Sequence, residues 1–394
     1  MMKRFYLMGL LVLGAMHSGM GQSRPGGQPS KLDRARLRAH PPVMQSTQVR
    51  PEPGRGGAPG GAGGSRLPVW GTEIGQTTYD LMSNRAVGQR LVQPAPGVLS
   101  AVWTQSCALT NGWPLRGIGY NYYANGSWAN GTGTAGGCPS SFGIASFRTG
   151  WPEITVVNGE EVVFAHTDNP GVDGIVTTRR PLGTGAWAPT TRLPFTKDIG
   201  GAGSGNIGFW PRLASNGQTI HLLYCSNGST TVGQLPSGII GPTLYARSLD
   251  GGATWDQQNV HLPGMSNANF FSIGGDSYAI AANGNTVAVV AGGFGDHVVV
   301  WKSTDNGTTF TPRVIERVED TDTIMIGSNI AAITSDGAFS ITVDNGGKVH
   351  VWTGLTLASV QVDSVAGTGF KSAQRYFPLA IEGGLAYWND AELA

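Results

Sequence analysis

Short runs of alternating apolar and polar residues recur along the chain, and each run is interrupted by an Asn-Gly pair. Four such runs begin at Trp151, Trp210, Ser277 and Phe339. Their Asn-Gly pairs start at positions 158, 216, 283 and 345, so the intervals are 58, 67 and 62 residues. Because Asn and Gly both tolerate positive φ, Asn-Gly between alternating runs predicts a β-hairpin closed by a type I′ turn. Each run is therefore predicted to form one hairpin.

A second pattern, a Gly-rich turn followed by an aromatic residue, alternates with the first. Its aromatic residues are Trp128, Trp187, Trp255, Phe310 and Phe370, at intervals of 59, 68, 55 and 60 residues. Two hairpins in each period of about 60 residues predict a four-stranded antiparallel sheet, the blade of a β-propeller. The sequence therefore predicts an all-β propeller of about six blades, within a range of five to seven. The absence of helical apolar spacing beyond residue 67 argues against a parallel α/β fold.

The chain divides into three segments. Residues 1–21 are predicted to be a signal peptide, because a basic start precedes an apolar run and small residues follow it. Residues 22–66, rich in Pro and Gly, are predicted to be a disordered linker, and residues 67–394 the propeller. Because the chain ends within what resembles a blade, either a strand near residues 77–82 completes the last blade or the C-terminus is truncated.

Composition narrows the classes of partner. The 26 Lys and Arg residues nearly balance the 25 Asp and Glu residues, so no nucleic acid partner is predicted. The apolar run of the signal peptide is too short to span a bilayer, and we expect a secreted or extracellular-surface protein without membrane insertion. The seven His residues show no metal-binding spacing, and no G-x-S-x-G elbow is present. We expect no metal, no cofactor and a monomer.

The three cysteines leave two possibilities open. Cys107 and Cys138 can close a loop of about 30 residues with a disulfide worth ~3 kcal/mol, which leaves Cys225 unpaired. Equally, all three can be buried free thiols.

Two turns fit the pattern S-x-D-x-G-x-T-[WF], and they lie 55 residues apart in phase with the hairpins. In such a turn the Asp carboxylate accepts backbone N–H groups, the Gly supplies positive φ, and the aromatic residue tucks beneath the hairpin. The key residues are Ser248, Asp250, Gly252 and Trp255 in one turn, and Ser303, Asp305, Gly307 and Phe310 in the other.

These turns resemble the Asp box, or BNR repeat, of the sialidase-like superfamily of β-propellers. That superfamily includes exo-α-sialidases, other glycosidases, sortilin-type receptors and photosystem assembly factors. Its Asp boxes lie on the outer rim, between the last two strands of a blade. The resemblance therefore implies the fold and does not imply catalysis.

Sialidases of this superfamily use three arginines for the substrate carboxylate, a Tyr nucleophile beside a Glu, and an Asp as acid/base. The F/Y-R-I-P phrase that carries their first arginine is missing here, which indicates a non-sialidase member. Arg116, Arg148 and Arg212 each stand near the start of a predicted inner hairpin and can converge on the axis. They can equally be solvated or bonded within loops.

Three further residues are candidates for catalysis: Tyr376, Glu153 and Asp168. Arg375-Tyr376 with Glu382 resembles the late Arg and Tyr pair of the sialidases. Glu153 and Asp168 are the acid/base candidates, with ordinary polar residues at strand ends as the alternative.

Aromatic residues are dense in the first predicted blade, and sugar faces stack on such rings. Those at alternating positions also fit a core between blades, and Trp113, in a loop, is the one expected to be exposed for ligand stacking. The leading prediction is a binding, adhesion or scaffold module for a glycan, a peptide or a surface polymer, and enzymatic activity is left open but not favoured. The alternative is an exo-acting glycoside hydrolase of the sialidase-like type.

Overall fold

The computed structural model describes twenty strands and one short 3-10 helix, Pro194–Thr196. Among the residues that the structure describes, no helix is long and apolar enough to cross a membrane. The predicted signal peptide and linker lie outside the described residues. Those residues are 72, 74–79, 86–108, 112–129, 142–226, 239, 241–266, 270, 273, 275, 277–293, 297–316, 323–326, 329–360 and 377–391.

The strands form five four-stranded antiparallel sheets, and each sheet is built from four consecutive strands. This arrangement confirms the predicted all-β propeller of four-stranded blades. Sheet 1 contains β1 (Leu91–Ala95), β2 (Val98–Gln105), β3 (Gly117–Ala124) and β4 (Ser127–Trp128). Sheet 2 contains β5 (Gly150–Val157), β6 (Glu160–Thr167), β7 (Gly174–Pro181) and β8 (Thr191–Arg192). Sheet 3 contains β9 (Gly208–Asn216), β10 (Thr219–Ser226), β11 (Thr243–Ser248) and β12 (Gln257–His261). Sheet 4 contains β13 (Tyr278–Asn283), β14 (Thr286–Ala291), β15 (Val298–Ser303) and β16 (Thr311–Glu316). Sheet 5 contains β17 (Thr323–Ile326), β18 (Asn329–Val343), β19 (Val349–Val360) and β20 (Phe377–Asn389).

Hydrophobic clusters fill the four spaces between successive sheets. Alternate side chains of strand β10 pack into the clusters on the two faces of sheet 3. Leu222 and Tyr224 belong to the cluster shared with sheet 2, whereas Leu223 and Cys225 belong to the cluster shared with sheet 4. Because successive side chains of a strand point to opposite faces, a sheet between two neighbours buries both sets. The sheets touch in chain order through β2, β5, β9, β13 and β18, which we call the inner strands.

The Asn-Gly pairs lie in hairpin turns, as predicted, but only one of the four has the predicted geometry. Asn158 and Gly159 form a two-residue loop with φ of 52° and 74°, as a type I′ turn requires. At the next two pairs the Asn ends the strand, and the loops are Gly217-Gln218 and Gly284-Asn285. In both loops only the first residue, the glycine, has positive φ, as in a type II′ turn, whereas a type I′ turn needs it at both residues, so the type I′ prediction is wrong there. The fourth pair lies in a five-residue loop, 344–348.

The two predicted Asp-box turns join the third and fourth strands of sheets 3 and 4 and carry the same hydrogen bonds. The serine hydroxyl accepts the N–H of the glycine four residues on, at 2.7 Å and 2.8 Å. Asp250 Oδ1 accepts the N–H of Thr254 (2.8 Å), and Asp305 Oδ1 accepts that of Thr309 (2.9 Å). The hydrogen bonds from Thr254 lower the pKa of Asp250 to about 2. Each turn is therefore locked by its own carboxylate.

Each Asp-box turn is also fastened to the preceding sheet. Arg179 Nη2 of sheet 2 donates to the carbonyl of Gly251 (3.2 Å), and Arg247 Nη1 of sheet 3 donates to that of Asn306 (2.6 Å). Gly251 and Asn306 occupy the same position, directly after the Asp. A rigid turn thus presents one carbonyl to a cation of the neighbouring sheet.

The aromatic residues of these turns pack in the same direction. Trp255 meets the ring of Phe164 in sheet 2 at 6.0 Å, and Phe310 meets Tyr245 in sheet 3 at 5.0 Å, both edge to face. At Gly307 a Cβ would lie 2.0 Å from Tyr245 Oη, so only glycine permits this approach. The motif therefore joins sheets as well as closing a turn.

The segment near residues 77–82 does not complete sheet 5 as far as it is described. Thr78 N–H donates to the carbonyl of Ser106 (2.7 Å), and the Thr77 hydroxyl donates to that of Thr104 (3.2 Å). These carbonyls lie at the end of β2, in sheet 1. The described part of this segment, 74–79, therefore belongs with sheet 1, and the four strands of sheet 5 all lie within 323–389. Residues 80–82 lie outside the described residues.

The cysteines differ in state. Cys107 is disulfide-bonded, which excludes three free thiols, and Cys225 is free and buried between sheets 3 and 4. Cys138 lies outside the described residues, so its pairing with Cys107 stays a prediction.

Candidate functional site

The chain has three Trp-Pro pairs, and in each the tryptophan has positive φ. The angle is 41° at Trp113, 52° at Trp151 and 51° at Trp210, a conformation that bulky residues rarely adopt. In β5 and β9 the pair forms a β-bulge, because three residue steps on the inner strand face two on its partner. Proline suits a bulge since it has no N–H to give to the ladder. Two neighbouring inner strands therefore carry the same irregularity at the same place.

The rings of these tryptophans meet through Tyr79. The centroid of Tyr79 lies 4.9 Å from that of Trp113 and 5.7 Å from that of Trp151, and Trp151 lies 6.5 Å from Trp210, all close to perpendicular. Phe209 lies 5.4 Å from Trp210. Tyr79 and Trp151 are buried, whereas the other three are half-buried. We call these five residues, together with His166, the aromatic cluster.

His166 of β6 lies at the centre of the aromatic cluster. Its ring stacks on Trp151 at 5.1 Å, and its Nδ1 accepts the N–H of Trp210 (3.1 Å). The proton of the neutral ring is therefore on Nε2. Burial, followed by the positive charges of Arg116, Arg148 and Arg212, holds the pKa of His166 well below its ordinary value of 6.5.

Two of the predicted arginines border the aromatic cluster. Arg116 is buried, its guanidinium lies 5.3 Å from the ring centroid of Trp151, and its Nε donates to the carbonyl of Thr149 (2.9 Å). Arg148 forms a salt bridge with Asp168 through Nη1 and Oδ1. The side chains of Arg148 and Asp168 are 26% and 56% exposed, so this pair faces solvent beside the rings.

The third arginine, Arg212, is held in a buried ion pair with Glu153. Arg212 Nη1 lies 3.2 Å from Glu153 Oε1, and the two side chains are 2% and 0% exposed. Residues 86–90 cover the pair: Gln89 N–H donates to Glu153 Oε2 (2.7 Å), and Arg212 Nη2 donates to the carbonyl of Ala86 (2.5 Å). Gly88 permits this cover, since a Cβ there would lie 1.6 Å from Glu153 Oε1.

The predicted site residues thus separate into two groups. Arg116, Arg148 and Asp168 come together with Trp113 at the aromatic cluster. Glu153 and Arg212 lie beneath residues 86–90, and a glycan cannot reach them in this conformation because their side chains are almost completely buried. Arg375 and Tyr376 lie outside the described residues, and Glu382 lies in β20.

A second Tyr-Glu pair lies between sheets 1 and 2 and has a structural role. The Tyr120 hydroxyl donates to Glu161 Oε1 (2.6 Å), and Arg180 Nε donates to Glu161 Oε2 (2.8 Å). Burial, and then the hydrogen bond to Glu161, raise the pKa of the Tyr120 hydroxyl. Both side chains are buried, so a substrate cannot reach the hydroxyl, and the pair instead joins the two sheets.

Sequence reasoning missed Tyr79, Trp151, His166, Phe209 and Trp210 as members of one site. The repeated Trp-Pro pair was a usable signal, because proline inside a predicted strand indicates a bulge or an edge. His166 gave no local signal, since it sits in an apolar strand whose pattern fits a core position.

The chain matches no protein-family model and no curated protein. Among solved structures, it is similar to a family 117 glycoside hydrolase from Zobellia galactanivorans, with 14% identity, coverage of 81% of this chain and 88% of that one, and a TM-score of 0.39. It is similar to an endo-arabinase from Bacteroides thetaiotaomicron, with 13% identity, coverage of 72% and 96%, and a TM-score of 0.39. It is also similar to a Trypanosoma rangeli sialidase, with 14% identity, coverage of 70% and 46%, and a TM-score of 0.36.

Substituting Glu153→Gln is expected to lower the free energy of unfolding by about 3–5 kcal/mol, because it removes the carboxylate charge that faces the buried guanidinium of Arg212. Urea denaturation measures the change. The control is Asp173→Asn, which removes the carboxylate that pairs with the partly exposed Lys197 (3.2 Å) and Arg192 (3.7 Å), and it is expected to cost about 1 kcal/mol or less. Equal costs for the two variants would contradict the buried ion pair.

Stability is expected to fall as the pH drops below about 6.5, in part through His166. Its pKa is lowered in the folded state, so its contribution is complete above the unfolded pKa and is lost as the pH falls toward the folded pKa. One proton taken up on unfolding changes stability by ~1.4 kcal/mol per pH unit. Urea denaturation between pH 7.5 and 5 should show a shallower decline for His166→Gln than for wild type. Parallel curves would count against a neutral, buried His166.

Proposed function

We propose that this chain is a glycan-binding β-propeller whose ligand binds at the aromatic cluster. The observation that carries the proposal is the half-buried surface of Trp113, Phe209 and Trp210 beside the exposed Arg148–Asp168 pair. Aromatic faces take the apolar face of a sugar ring, and a paired cation and carboxylate offer a donor and an acceptor to its hydroxyls. Small-ligand sites combine aromatic surface with a few fixed polar groups in this way.

The backbone supports the same proposal. Three tryptophans at positive φ and two matching bulges store conformational strain in one place, and such strain concentrates at ligand sites. A core that needed only apolar contacts would be formed by unstrained residues. The strain therefore serves to aim the rings.

Trp113→Ala is expected to weaken glycan binding about tenfold, ~1.4 kcal/mol, the order of one lost ring contact. A glycan array identifies the ligand of the full chain, and calorimetry gives the dissociation constants. The matched control is Trp128→Ala, which removes another half-buried tryptophan from the outer strand β4 of sheet 1. Circular dichroism establishes that both variants fold. Unchanged binding by Trp113→Ala, or an equal loss in Trp128→Ala, would exclude this site.

Glycan cleavage is the second candidate function, and the exposed carboxylate of Asp168 beside the rings is the observation that favours it. A carboxyl within reach of the glycosidic oxygen can act as an acid or a base. Incubating the glycans found above, and a fluorogenic sialoside, with wild type and Asp168→Asn separates the two functions. Product that disappears in Asp168→Asn while binding persists identifies a hydrolase. Binding without product from any of them identifies a binding module.

The basic and apolar pattern of residues 1–21 supports action outside the cytoplasm. We propose that the mature chain is secreted and begins near Gln22. N-terminal sequencing of the exported protein tests this, and an intact Met1 in the exported protein would overturn it.

A further inference from the structure

A histidine–tyrosine pair occurs at the same place in sheets 3 and 5. In sheet 3, His221 of β10 stacks on Tyr245 of β11 with ring centroids 6.0 Å apart, and His221 Nδ1 lies 2.7 Å from Tyr245 Oη. In sheet 5, the same two distances between His350 of β19 and Tyr387 of β20 are 6.0 Å and 2.7 Å. In both sheets the tyrosine stands opposite the residue two positions after the histidine. The two pairs are therefore equivalent parts of the repeat.

In sheet 3 this pair receives a turn of the next sheet. The second Asp-box turn, between β15 and β16 of sheet 4, packs Phe310 against Tyr245 at 5.0 Å. A Cβ at Gly307 would lie 2.0 Å from Tyr245 Oη and 3.2 Å from His221 Nδ1, so the turn lies directly over both rings. His221 and Tyr245 are consequently buried.

In sheet 5 the equivalent surface is open. The His350 side chain is 20% exposed, and Trp352 and Tyr387 are half-buried. Leu385, two residues before Tyr387 on the same face of β20, is 69% exposed. We call these four residues the sheet 5 face. They alternate along their strands with residues that pack against sheet 4, so the face points away from that sheet. An exposed apolar patch of this kind marks a site of association.

Sheet 1 carries a turn that lacks such a receiving surface. In sheets 2, 3 and 4, a Cβ at one glycine of the turn between the third and fourth strands would collide with the preceding sheet. The distances are 2.4 Å from Gly183 to Tyr122, 2.6 Å from Gly251 to Asn158 and 2.0 Å from Gly307 to Tyr245. In sheet 1 the turn is Asn125-Gly126, and a Cβ at Gly126 would meet no described residue within 4 Å. We call residues 125–128 the sheet 1 turn.

The sheet 1 turn has the two features that the docked turns use. Gly126 has a φ of 81°, close to the 78° of Gly307, and Trp128 follows it as Phe310 follows Gly307. In all three docked turns the aromatic residue packs against a ring of the preceding sheet, at 5.0–6.0 Å. Trp128 is therefore the residue suited to meet Tyr387.

We propose that the sheet 5 face binds the sheet 1 turn of a second copy of this chain. Within one chain the turn and the face do not meet: the ring of Trp128 contacts Tyr123 of its own sheet, at 5.4 Å. A second copy supplies each with the partner that it lacks, and Trp128 then packs against Tyr387. Because the turn and the face are different surfaces, the contact is head-to-tail. An assembly of at least two copies takes the place of the monomer expected from the sequence.

Light scattering after size exclusion, with the full chain over a range of concentrations, tests this contact. The molar mass is expected to rise with concentration to at least twice that of one chain. Trp128→Ala removes the ring of the turn, Tyr387→Ala removes its receiver, and each is expected to weaken association about tenfold or more. The control is Leu249→Ala, which removes an exposed leucine (48%) from the docked turn of sheet 3 and should associate as wild type does. The mass of one chain at every concentration, or undiminished association in either ring variant, would overturn the proposal.

Mixing the two ring variants distinguishes a second copy from the same chain. Trp128→Ala keeps an intact face and Tyr387→Ala keeps an intact turn, so one contact can still form between them. With an affinity tag on one variant, capture of the other from the mixture is expected, and capture of an untagged copy of the same variant should be about tenfold lower or less. Association of the wild type without recovery in the mixture would overturn the head-to-tail contact.

Two substitutions at exposed positions repeat the mixing test without disturbing the core, and circular dichroism establishes that all variants fold. Ser127→Glu in the turn and Leu385→Glu in the face each place a carboxylate against an apolar contact. Association as strong as wild type in both would overturn the contact. Glycan affinity per chain should be unchanged in every variant, because the aromatic cluster is not part of the contact. The contact and the function proposed above can therefore fail separately.

Discussion

The buried ion pair between Glu153 and Arg212 is the constraint on which the centre of the molecule depends. Two charges taken out of water are tolerated only with close geometry and further hydrogen bonds, and residues 86–90 supply some of those bonds. Glu153 and Arg212 each stand two residues after the tryptophan of a Trp-Pro pair. The distance between the charged groups therefore also sets the distance between the two bulges, and with it the contact of Trp151 with Trp210. A pair that looks catalytic in the sequence serves here to position the tryptophan rings of the two bulges.

At the outer edge, the same kind of coupling joins neighbouring sheets in series. An Asp carboxylate first fixes a turn, and the fixed turn then offers one carbonyl and one aromatic ring to the sheet before it. Arg179 and Arg247 reach forward from the third strand of one sheet to the turn of the next. Lys302 occupies the corresponding position in sheet 4, and it meets a carboxylate, Asp390, instead of a turn carbonyl. In sheet 4 this ion pair therefore replaces the repeated contact with a turn carbonyl.

The sequence predicts the sheets but not the site. Hairpins depend on residues that are close in the chain, whereas the site depends on residues that are far apart in it. The Asn-Gly pairs therefore locate the hairpins, although the pairing register decides between turn types and shifts the loop by one residue after Asn216. The position of the Arg212 guanidinium depends on Glu153, 59 residues earlier, and on the carbonyl of Ala86, 126 residues earlier. No local pattern reports such partners. His166 becomes part of the site only because two bulges, on different strands, bring Trp151 and Trp210 to its ring.

The strained tryptophans are held by polar contacts that form when the chain folds. Trp151 N–H donates to the Thr104 hydroxyl, and Trp210 N–H donates to His166 Nδ1, both at 3.1 Å. Because each of these N–H groups has left the strand ladder, it needs a partner elsewhere, and the partner chosen fixes the direction of the ring. Folding therefore already orders the rings of the aromatic cluster, so little conformational entropy remains to be lost on ligand binding. The two bulges therefore fix the contact between the buried Trp151 and the half-buried Trp210, and with it the arrangement of the aromatic cluster.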